Sequence, residues 1–195
     1  MSHLNGQVVM TSLCGLALMA GGSTPARGPY ANEVYRAVRF VRDNITKVGE
    51  FDNVKMNGGN MNQQNWRWGI GGIFLAEAYA KYKDPSIKAA LQEAVKQLEG
   101  SQEVSGGWAH GTGGPNTLGY LELEVVSNWV LAAMGMAKSA GCKVKSSKMK
   151  RGLDYVARCT NKIGGVAYST RPGQVGHGCP GRTGGAMFAY SLCHN

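Results

Sequence analysis

The chain has 195 residues and a formal net charge of +9, with 43% hydrophobic and 17% charged residues. This composition excludes a disordered chain and supplies enough apolar residues for one sizeable core, so we predict a single domain over 1–195. The positive charge would suit an anionic partner, but the densest basic run, 138–151, contains no aromatic residues. We therefore expect no nucleic-acid partner.

The first apolar stretch, 8–20, could be either the core of a secretory signal or a helix. Residues 1–7 contain no Lys or Arg, so the positive flank of a secretory signal is missing. We interpret the stretch as a helix, which favours the cytoplasm slightly over secretion and leaves the compartment open. No run reaches the roughly 20 apolar residues that span a bilayer, so we predict a soluble chain without a membrane span.

Four small-and-apolar segments recur along the chain with a period of about 57 residues. They begin at Leu13, Ile70, Ser127 and Thr183. Each has the composition of a helix that is buried on most sides, and we name these the inner helices. Their predicted ranges are 9–20, 66–81, 124–139 and 183–193.

A second, amphipathic helix is predicted after each of the first three inner helices, at 32–44, 85–100 and 147–160. Its single apolar stripe indicates a helix that packs on one side only, and we name these the outer helices. Asp84 and Pro85 are a typical start, because a capping side chain precedes a proline that needs no N–H partner. The resulting units are 8–64, 65–122, 123–180 and 181–195, or about three and a half helical hairpins.

A motif with the spacing L-x3-Q-x3-G-x-W follows the second outer helix, and its last three positions are Gln102, Gly106 and Trp108. A glutamine just past a helix end can bind unpaired backbone groups of a neighbouring helix, and the tryptophan offers a broad face for stacking. The motif recurs upstream with Ile45 and downstream with Thr160 in place of the glutamine, and Gly164 takes the glycine position downstream. We expect those two copies to form weaker or purely apolar ties.

The run 98–108 resembles the glutamine-tryptophan repeats of squalene–hopene and oxidosqualene cyclases. The glycine-rich stretches 106–108 and 164–168 are similar to repeats of protein prenyltransferase β-subunits. This resemblance implies an all-α fold, a partial α/α-toroid in which the inner helices surround an apolar cavity. It also implies that functional residues lie at the N-terminal ends of the inner helices and in the glycine-rich loops.

The acidic motifs of that family's enzymes are missing. Its cyclases use a D-x-D-D cluster, its ionising synthases use paired aspartates with magnesium, and its zinc prenyltransferases use an Asp-x-Cys pair. The four aspartates here lie far apart, and no cysteine has an aspartate two residues before it. We therefore expect a non-catalytic module, without cofactor or metal, that binds a protein partner or an apolar ligand on its concave face. The alternative is an isoprenoid-handling enzyme of the cyclase or prenyltransferase type.

Three residues are candidates for acid–base chemistry. Glu122 and Glu124 flank the start of the third inner helix, and two nearby carboxylates can raise one another's pKa enough to make a general acid. A first-turn carboxylate held by the helix dipole is the other interpretation. His110 follows Trp108 in a glycine-rich loop, where it could line the cavity mouth or stabilise the loop by a hydrogen bond.

The predicted ligand-binding residues lie near the starts of the inner helices. They are Trp66, Arg67, Trp68, Asn128, Trp129, His177 and Arg182. Aromatic faces there could hold a flat apolar ligand, with core packing as the other interpretation, and Arg67 between two tryptophans indicates an exposed recognition surface. His177 and Cys179 could hold a metal together with Cys193 and His194, although a loop histidine and a buried thiol explain the same residues.

A partial ring leaves apolar helix faces uncovered at both of its ends, and such faces are typical of association sites. Complete toroids of the family use about six hairpins, twice the number of complete hairpins predicted here. We therefore expect either self-association or a larger protein partner that completes the ring. The chain could also be a fragment of a longer toroid, and a polymer-processing enzyme rests on analogy of fold alone.

Overall fold

The computed structural model describes residues 4–49, 52, 55, 56, 59, 60, 62–115, 119–171, 173–175 and 178–193. Its helices are α1 (Leu4–Ala20), α2 (Ala31–Asn44), α3 (Gln64–Lys81), α4 (Pro85–Gly100), α5 (Glu124–Ser139), α6 (Ser146–Cys159) and α7 (Pro180–Cys193). Two short antiparallel strands, β1 (Lys55–Met56) and β2 (Gly59–Asn60), form a hairpin before α3. The predicted all-α class is confirmed, and within the described ranges no helix is both long and apolar enough to cross a membrane.

The predicted ranges of α4 and α5 agree with the structure, whereas α1 and α7 begin earlier than predicted. The helix α1 begins at Leu4, and the buried Asn5 in its first turn donates its amide to Asp52 Oδ1 at 2.9 Å. The helix α7 begins at Pro180, since proline is favoured in the first helical position and needs no N–H partner. The apolar pattern therefore predicted both helices too short, because it does not extend over their first residues.

The inner helices pack side by side in the order α1, α3, α5, α7. Glycines allow the close approaches, because a Cβ on Gly72 would lie 3.2 Å from the Ala133 Cβ and one on Gly135 would lie 2.6 Å from the Leu192 carbonyl oxygen. The two residues of each such contact lie about one repeat apart in the sequence, so equivalent positions of neighbouring inner helices meet. Neighbouring inner helices therefore run parallel. The outer helices α2, α4 and α6 pack against this row. Each contacts the inner helix of its own hairpin and the inner helix of the next hairpin.

The inner helices differ in how much of their surface is covered. The central helices α3 and α5 are buried along most of their length, as predicted. The flanking helices are not, since Met10 of α1 is 59% exposed and Met187 of α7 is 68% exposed. For α1 and α7 the prediction of burial on most sides is wrong, because each has an inner-helix neighbour on one side only.

The same hydrogen bonds connect successive repeats. The Leu123 N–H donates to the Trp108 carbonyl at 2.9 Å, and the Cys179 N–H donates to the Val166 carbonyl at 3.2 Å. The side-chain hydroxyl one turn into the next inner helix, at Ser127 or Thr183, accepts from the N–H of Trp108 or Val166 respectively. This agreement supports the repeat period at the level of backbone geometry.

The glutamine–tryptophan motif ties α4 to α6. The Gln102 amide donates to the carbonyls of Gly106 and Lys148, both at 2.8 Å, and Lys148 belongs to α6. Trp108 is fully buried, and its indole N–H donates to the Leu98 carbonyl at 2.7 Å. Gly106 has a φ of +97°, a conformation that glycine adopts without strain.

The other two copies of the motif lack the glutamine tie. Ile45 is fully buried, and its Cδ1 would lie 3.0 Å from a Cβ on Gly71, so it makes an apolar contact with α3. The Thr160 hydroxyl donates to the Val156 carbonyl of its own helix at 2.9 Å. Gly164 repeats the left-handed turn of Gly106, with a φ of +85°.

Candidate ligand cavity between α5 and α7

A partly enclosed cavity of about 250 Å³ lies between the N-terminal halves of α5 and α7. Its lining residues are Val125, Asn128, Trp129, Cys179, Gly181, Arg182, Gly185 and Phe188. Three of the predicted ligand-binding residues, Asn128, Trp129 and Arg182, therefore lie around one space. The walls are mostly apolar, and the polar groups gather at the helix starts.

Glu124 begins α5 behind the wall of this cavity. Its backbone N–H donates to the Tyr168 carbonyl at 2.9 Å, which ties the start of α5 to the segment that follows α6. The side chain is fully buried, and its Oε1 accepts a hydrogen bond from the Asn128 amide. Burial raises the pKa of Glu124 to about 7, and the Asn128 hydrogen bond and the Arg182 charge offset part of that effect.

Two buried oxygens at this end of the cavity have no hydrogen-bond partner among the described residues. They are Oε2 of Glu124 and Oδ1 of Asn128. Asn128 is 5% exposed, and its Nδ2 is already engaged by Glu124 and, at 3.4 Å, by the Arg182 carbonyl. An unsatisfied buried acceptor costs about 1–3 kcal/mol. The protonated form of Glu124, which burial favours, leaves fewer acceptors without a partner.

Arg182 and Cys179 complete the polar end. The Arg182 Nε donates to the Val166 carbonyl at 3.2 Å, and its guanidinium lies 5.8 Å from the centroid of the Tyr168 ring. Cys179 directly precedes α7, and its pKa is lowered by hydrogen bonds from the backbone N–H groups of Arg182 and Gly181. The end of the cavity thus combines one buried acid, one guanidinium and one thiol.

The carboxylate pair of Glu122 and Glu124, one of two interpretations offered by the sequence, does not account for the raised pKa of Glu124. The Glu122 charge raises the pKa of Glu103, after the larger effect of burial on that group. The raised pKa of Glu124 has a different physical origin, since burial is its main cause. Glu124 is therefore a buried acid whose raised pKa does not depend on a neighbouring carboxylate.

Trp66 and His110 form a separate pair at the start of α3. The Trp66 indole N–H donates to His110 Nδ1 at 2.7 Å, and the two rings are stacked with centroids 5.9 Å apart. Burial lowers the pKa of His110, which favours the neutral imidazole that accepts this hydrogen bond. The geometry fits the loop-stabilising interpretation of His110, and neither residue lines the cavity.

The prediction of an exposed recognition surface at Arg67 is wrong. Arg67 is 1% exposed, and its Nη2 forms an ion pair with Asp52 Oδ2 at 3.1 Å. The second tryptophan of that stretch, Trp68, is 6% exposed and belongs to the hydrophobic core. A charged residue flanked by aromatic residues looked like a binding surface because the sequence does not show that Asp52 folds back onto α3.

The metal site considered at the C-terminal cysteines and histidines is not formed by the described residues. Cys179 precedes α7 and Cys193 ends it, and a helix of 14 residues is about 21 Å long. The two thiols are therefore too far apart to share one ion. His177 and His194 lie outside the described residues, and among those described no group of three or more acidic, histidine or cysteine residues could hold a metal.

Sequence reasoning missed the small and apolar part of the cavity wall, at Val125, Gly181, Gly185 and Phe188. A Cβ on Gly185 would lie 3.0 Å from the Asn128 amide nitrogen, so this glycine preserves space beside Asn128. The repeat period could have identified Gly185 as a neighbour of Asn128, because the two residues are one period apart on parallel helices. Aligning the repeats in space would have brought these two positions together.

These features define an all-α protein with a partly enclosed cavity between two adjacent inner helices. The chain belongs to the family described as "Domain of unknown function (DUF6288)", whose sequence model matches residues 5–195. Comparisons with curated proteins and with solved structures found no match. The family description states no activity, so the functional proposal depends on the geometry of the cavity.

The buried acid makes stability depend on pH in a defined direction. Because the pKa of Glu124 rises from its usual 4.5 to about 7 in the folded state, its contribution is fully present below pH 4.5 and is lost as pH rises through 7. We expect the free energy of unfolding of wild type, relative to Glu124→Gln, to fall by about 3 kcal/mol between pH 4.5 and 8. Urea unfolding at several pH values measures this difference.

The matched control for this pH series is Glu122→Gln, two residues before Glu124. Glu122 is only half-buried, so this variant shows the effect of the same substitution outside the fully buried position. Parallel curves for wild type and Glu124→Gln would contradict the assignment of a buried, protonated Glu124.

Proposed function

We propose that this chain is a non-catalytic helical-repeat module that binds a small apolar ligand, or an apolar side chain of a protein partner, between α5 and α7. The observation that carries the proposal is the mostly apolar cavity itself, which Trp129 and Phe188 line together with the polar residues Asn128 and Arg182. An apolar cavity with a few convergent polar groups is the usual form of a ligand site.

The volume limits the size of the ligand. An apolar cavity of about 150 Å³ holds benzene, so a cavity of about 250 Å³ has room for one ring with a short substituent. Trp129 and Phe188 supply aromatic faces for such a ring, and Val125 supplies an aliphatic contact. Burial of these surfaces would provide most of the binding free energy.

The polar end limits the chemistry of the ligand. Asn128 is the uncharged hydrogen-bonding side chain among the lining residues, so the ligand should present a group that can hydrogen-bond to an amide, such as a hydroxyl. Arg182 lies beside Glu124 and opposes a second positive charge, which disfavours an ammonium group.

Association with further protein is the other part of the proposal. Apolar side chains are exposed on both flanking inner helices, at Met10 and Leu13 of α1 and at Met187 and Phe188 of α7. Such faces would be covered in a closed toroid-like ring, either by a second copy or by a larger partner. Phe188 belongs to both the α7 face and the cavity wall, so association and ligand binding would be coupled.

An isoprenoid-handling enzyme has one observation in its favour, the pKa of about 7 for Glu124, which suits a general acid near neutral pH. The volume argues against it, because a cavity of about 250 Å³ is smaller than the roughly 300–1,000 Å³ of drug-sized ligand sites. It can hold one isoprenoid unit but not a folded triterpene. Binding without catalysis is therefore the better supported function.

The proposal is tested with benzyl alcohol, benzylamine, benzoate and toluene, which share one ring and differ at the polar end. We expect benzyl alcohol to bind most tightly by calorimetry, with a dissociation constant in the millimolar range. Asn128→Leu should weaken that binding about 3–10-fold, the value of one hydrogen bond. Val125→Trp should abolish binding, because the larger side chain fills the cavity.

The matched control is Glu122→Gln, a polar substitution at the same end of α5 outside the cavity wall, which should bind like wild type. The proposal fails if none of the four probes binds, or if Asn128→Leu and Val125→Trp bind benzyl alcohol as tightly as the control does.

A further inference from the structure

The two flanking inner helices, α1 and α7, carry almost no charge, although the chain has a net charge of +9. The helix α1 contains no Asp, Glu, Lys or Arg. The helix α7 contains one charged residue, Arg182, whose Nε donates to the Val166 carbonyl. A helix without a charged face is normally buried on most sides. Both helices therefore have the composition of buried helices, yet one side of each faces solvent.

The exposed face of α7 corresponds, one repeat later, to the face of α5 that contacts α7. Three residues of α5 lie against α7, about one turn apart, and they are Asn128, Leu131 and Gly135. When Thr183 is aligned with Ser127, the places of these three residues are taken in α7 by exposed residues, namely Gly184, Met187 and Ser191. A Cβ on Gly184 would have nothing within 4 Å. The helix α7 thus presents to solvent the face on which α5 holds its next neighbour.

The exposed face of α1 corresponds, one repeat earlier, to the face of α3 that contacts α1. Gly71 and Phe74 of α3 form that contact. Their places in α1 are taken by Cys14 and Ala17, and both are exposed. Met10, one turn earlier, continues the same stripe and is 59% exposed. The helix α1 thus presents to solvent the face by which α3 packs onto the inner helix before it.

We propose that α7 of one copy of this chain packs against α1 of a second copy, with the two helices parallel. The contact continues the row α1, α3, α5, α7 by the interface that the chain already forms between each pair of neighbouring inner helices. The two faces differ, so the association is heterologous, or head-to-tail. The inference rests on the association part of the proposed function, and it selects a second copy as the partner.

The two faces fit each other in charge and in size. Two chains with a net charge of +9 repel each other, and a contact without charged side chains adds no further pair of like charges. Neighbouring inner helices approach closely where their residues are small, as at Gly72 and Ala133 between α3 and α5. In the same register, Gly184 of one copy lies beside Ala17 of the other. This match distinguishes a second copy from an unrelated partner.

The proposed contact has less support than the contacts within the chain. Each of the outer helices α2, α4 and α6 covers the joint between two neighbouring inner helices. Among the described residues, no outer helix follows α7, so the joint between copies consists of the two inner helices alone. We therefore expect reversible association, with a dissociation constant in the micromolar range.

The experiment measures the mass of the full chain by sedimentation equilibrium over a range of concentrations. Wild type should associate as its concentration rises. Ala17→Glu places a charge on the α1 face, and Met187→Glu places one on the α7 face. Because both positions are exposed, each variant should keep the urea midpoint of wild type. Each variant alone should have a dissociation constant at least about 100-fold higher, because a buried charge would lack a partner.

Mixing the two variants makes the test specific for a head-to-tail contact. The α7 face of Ala17→Glu and the α1 face of Met187→Glu are both intact, so an equimolar mixture should form a heterodimer with the affinity of wild type. Val104→Glu is the matched control, because Val104 is 95% exposed and lies on neither face. It should associate as wild type does.

Four outcomes would overturn the inference. They are a mixture that stays monomeric, a single variant that still associates, a loss of association in Val104→Glu, and a wild type that is monomeric at every concentration. A monomeric wild type that floats with phospholipid vesicles would identify a lipid surface as the occupant instead. Benzyl alcohol binding to Ala17→Glu tests the cavity separately, since association without that binding refutes the ligand site alone.

Discussion

Replacing Trp108 with alanine should lower the free energy of unfolding by about 3–5 kcal/mol, as measured by urea denaturation. The indole is fully buried between α4, α5 and α6, and it donates to the Leu98 carbonyl. Its loss would leave a large cavity at the junction between two repeats and one carbonyl without its partner. The size of the effect follows from this position, where one side chain contacts both neighbouring hairpins.

Gly152, which packs against Trp108, gives a second variant. A Cβ on Gly152 of α6 would lie 2.7 Å from Trp108 Cζ3 and 2.8 Å from Leu131 Cδ2, so Gly152→Ala should destabilise by about 1–3 kcal/mol. Gly100→Ala is the matched control, because nothing lies within 4 Å of its added methyl group. If Gly152→Ala were as stable as Gly100→Ala, Trp108 would not pack against α6 as described.

Removing the carboxylate of Asp52 should destabilise the fold by a similar amount, about 3–5 kcal/mol for Asp52→Ala. Asp52 pairs with the buried Arg67, and it also accepts from the Asn5 amide and, at 2.7 Å, from the Gly49 N–H. It therefore connects α1 and α3 through a single side chain. Without it, a guanidinium would stay buried and uncompensated.

Asp154→Ala is the control for that experiment, because Asp154 forms an exposed ion pair with Lys150 one turn away. Its effect should stay below about 0.5 kcal/mol. The double variant Asp52→Ala with Arg67→Met should recover part of the lost stability, since it removes the unpaired charge. Similar urea midpoints for Asp52→Ala and Asp154→Ala would refute the buried pair.

Most of the helical arrangement follows from residue types and their period. The apolar spacing identified all seven helices, and the bounds of α4 and α5 are those predicted, because a capping residue or a change in polarity marks each end. The early starts of α1 and α7 were missed because polar residues there are satisfied by distant partners, such as Asp52 for Asn5. The curvature of a toroid stays a prediction.

The cavity was predictable only in part. Asn128, Trp129 and Arg182 were identified from their position near helix starts, and all three line the cavity. Phe188 and Gly185 were missed because their exposure depends on how α7 packs against α5, which a repeat period fixes only to within a residue or two. Arg67 was misjudged for the related reason that its partner comes from a different segment.

The most direct test of ligand binding between α5 and α7 uses the indole N–H signals of the four tryptophans in a ¹H–¹⁵N NMR titration with benzyl alcohol. Of the four, only Trp129 lines the cavity. Binding there predicts a saturable shift of the Trp129 signal, with the signals of Trp66, Trp68 and Trp108 unchanged. A Trp129 signal that does not move, or four signals that move alike without saturation, would contradict it.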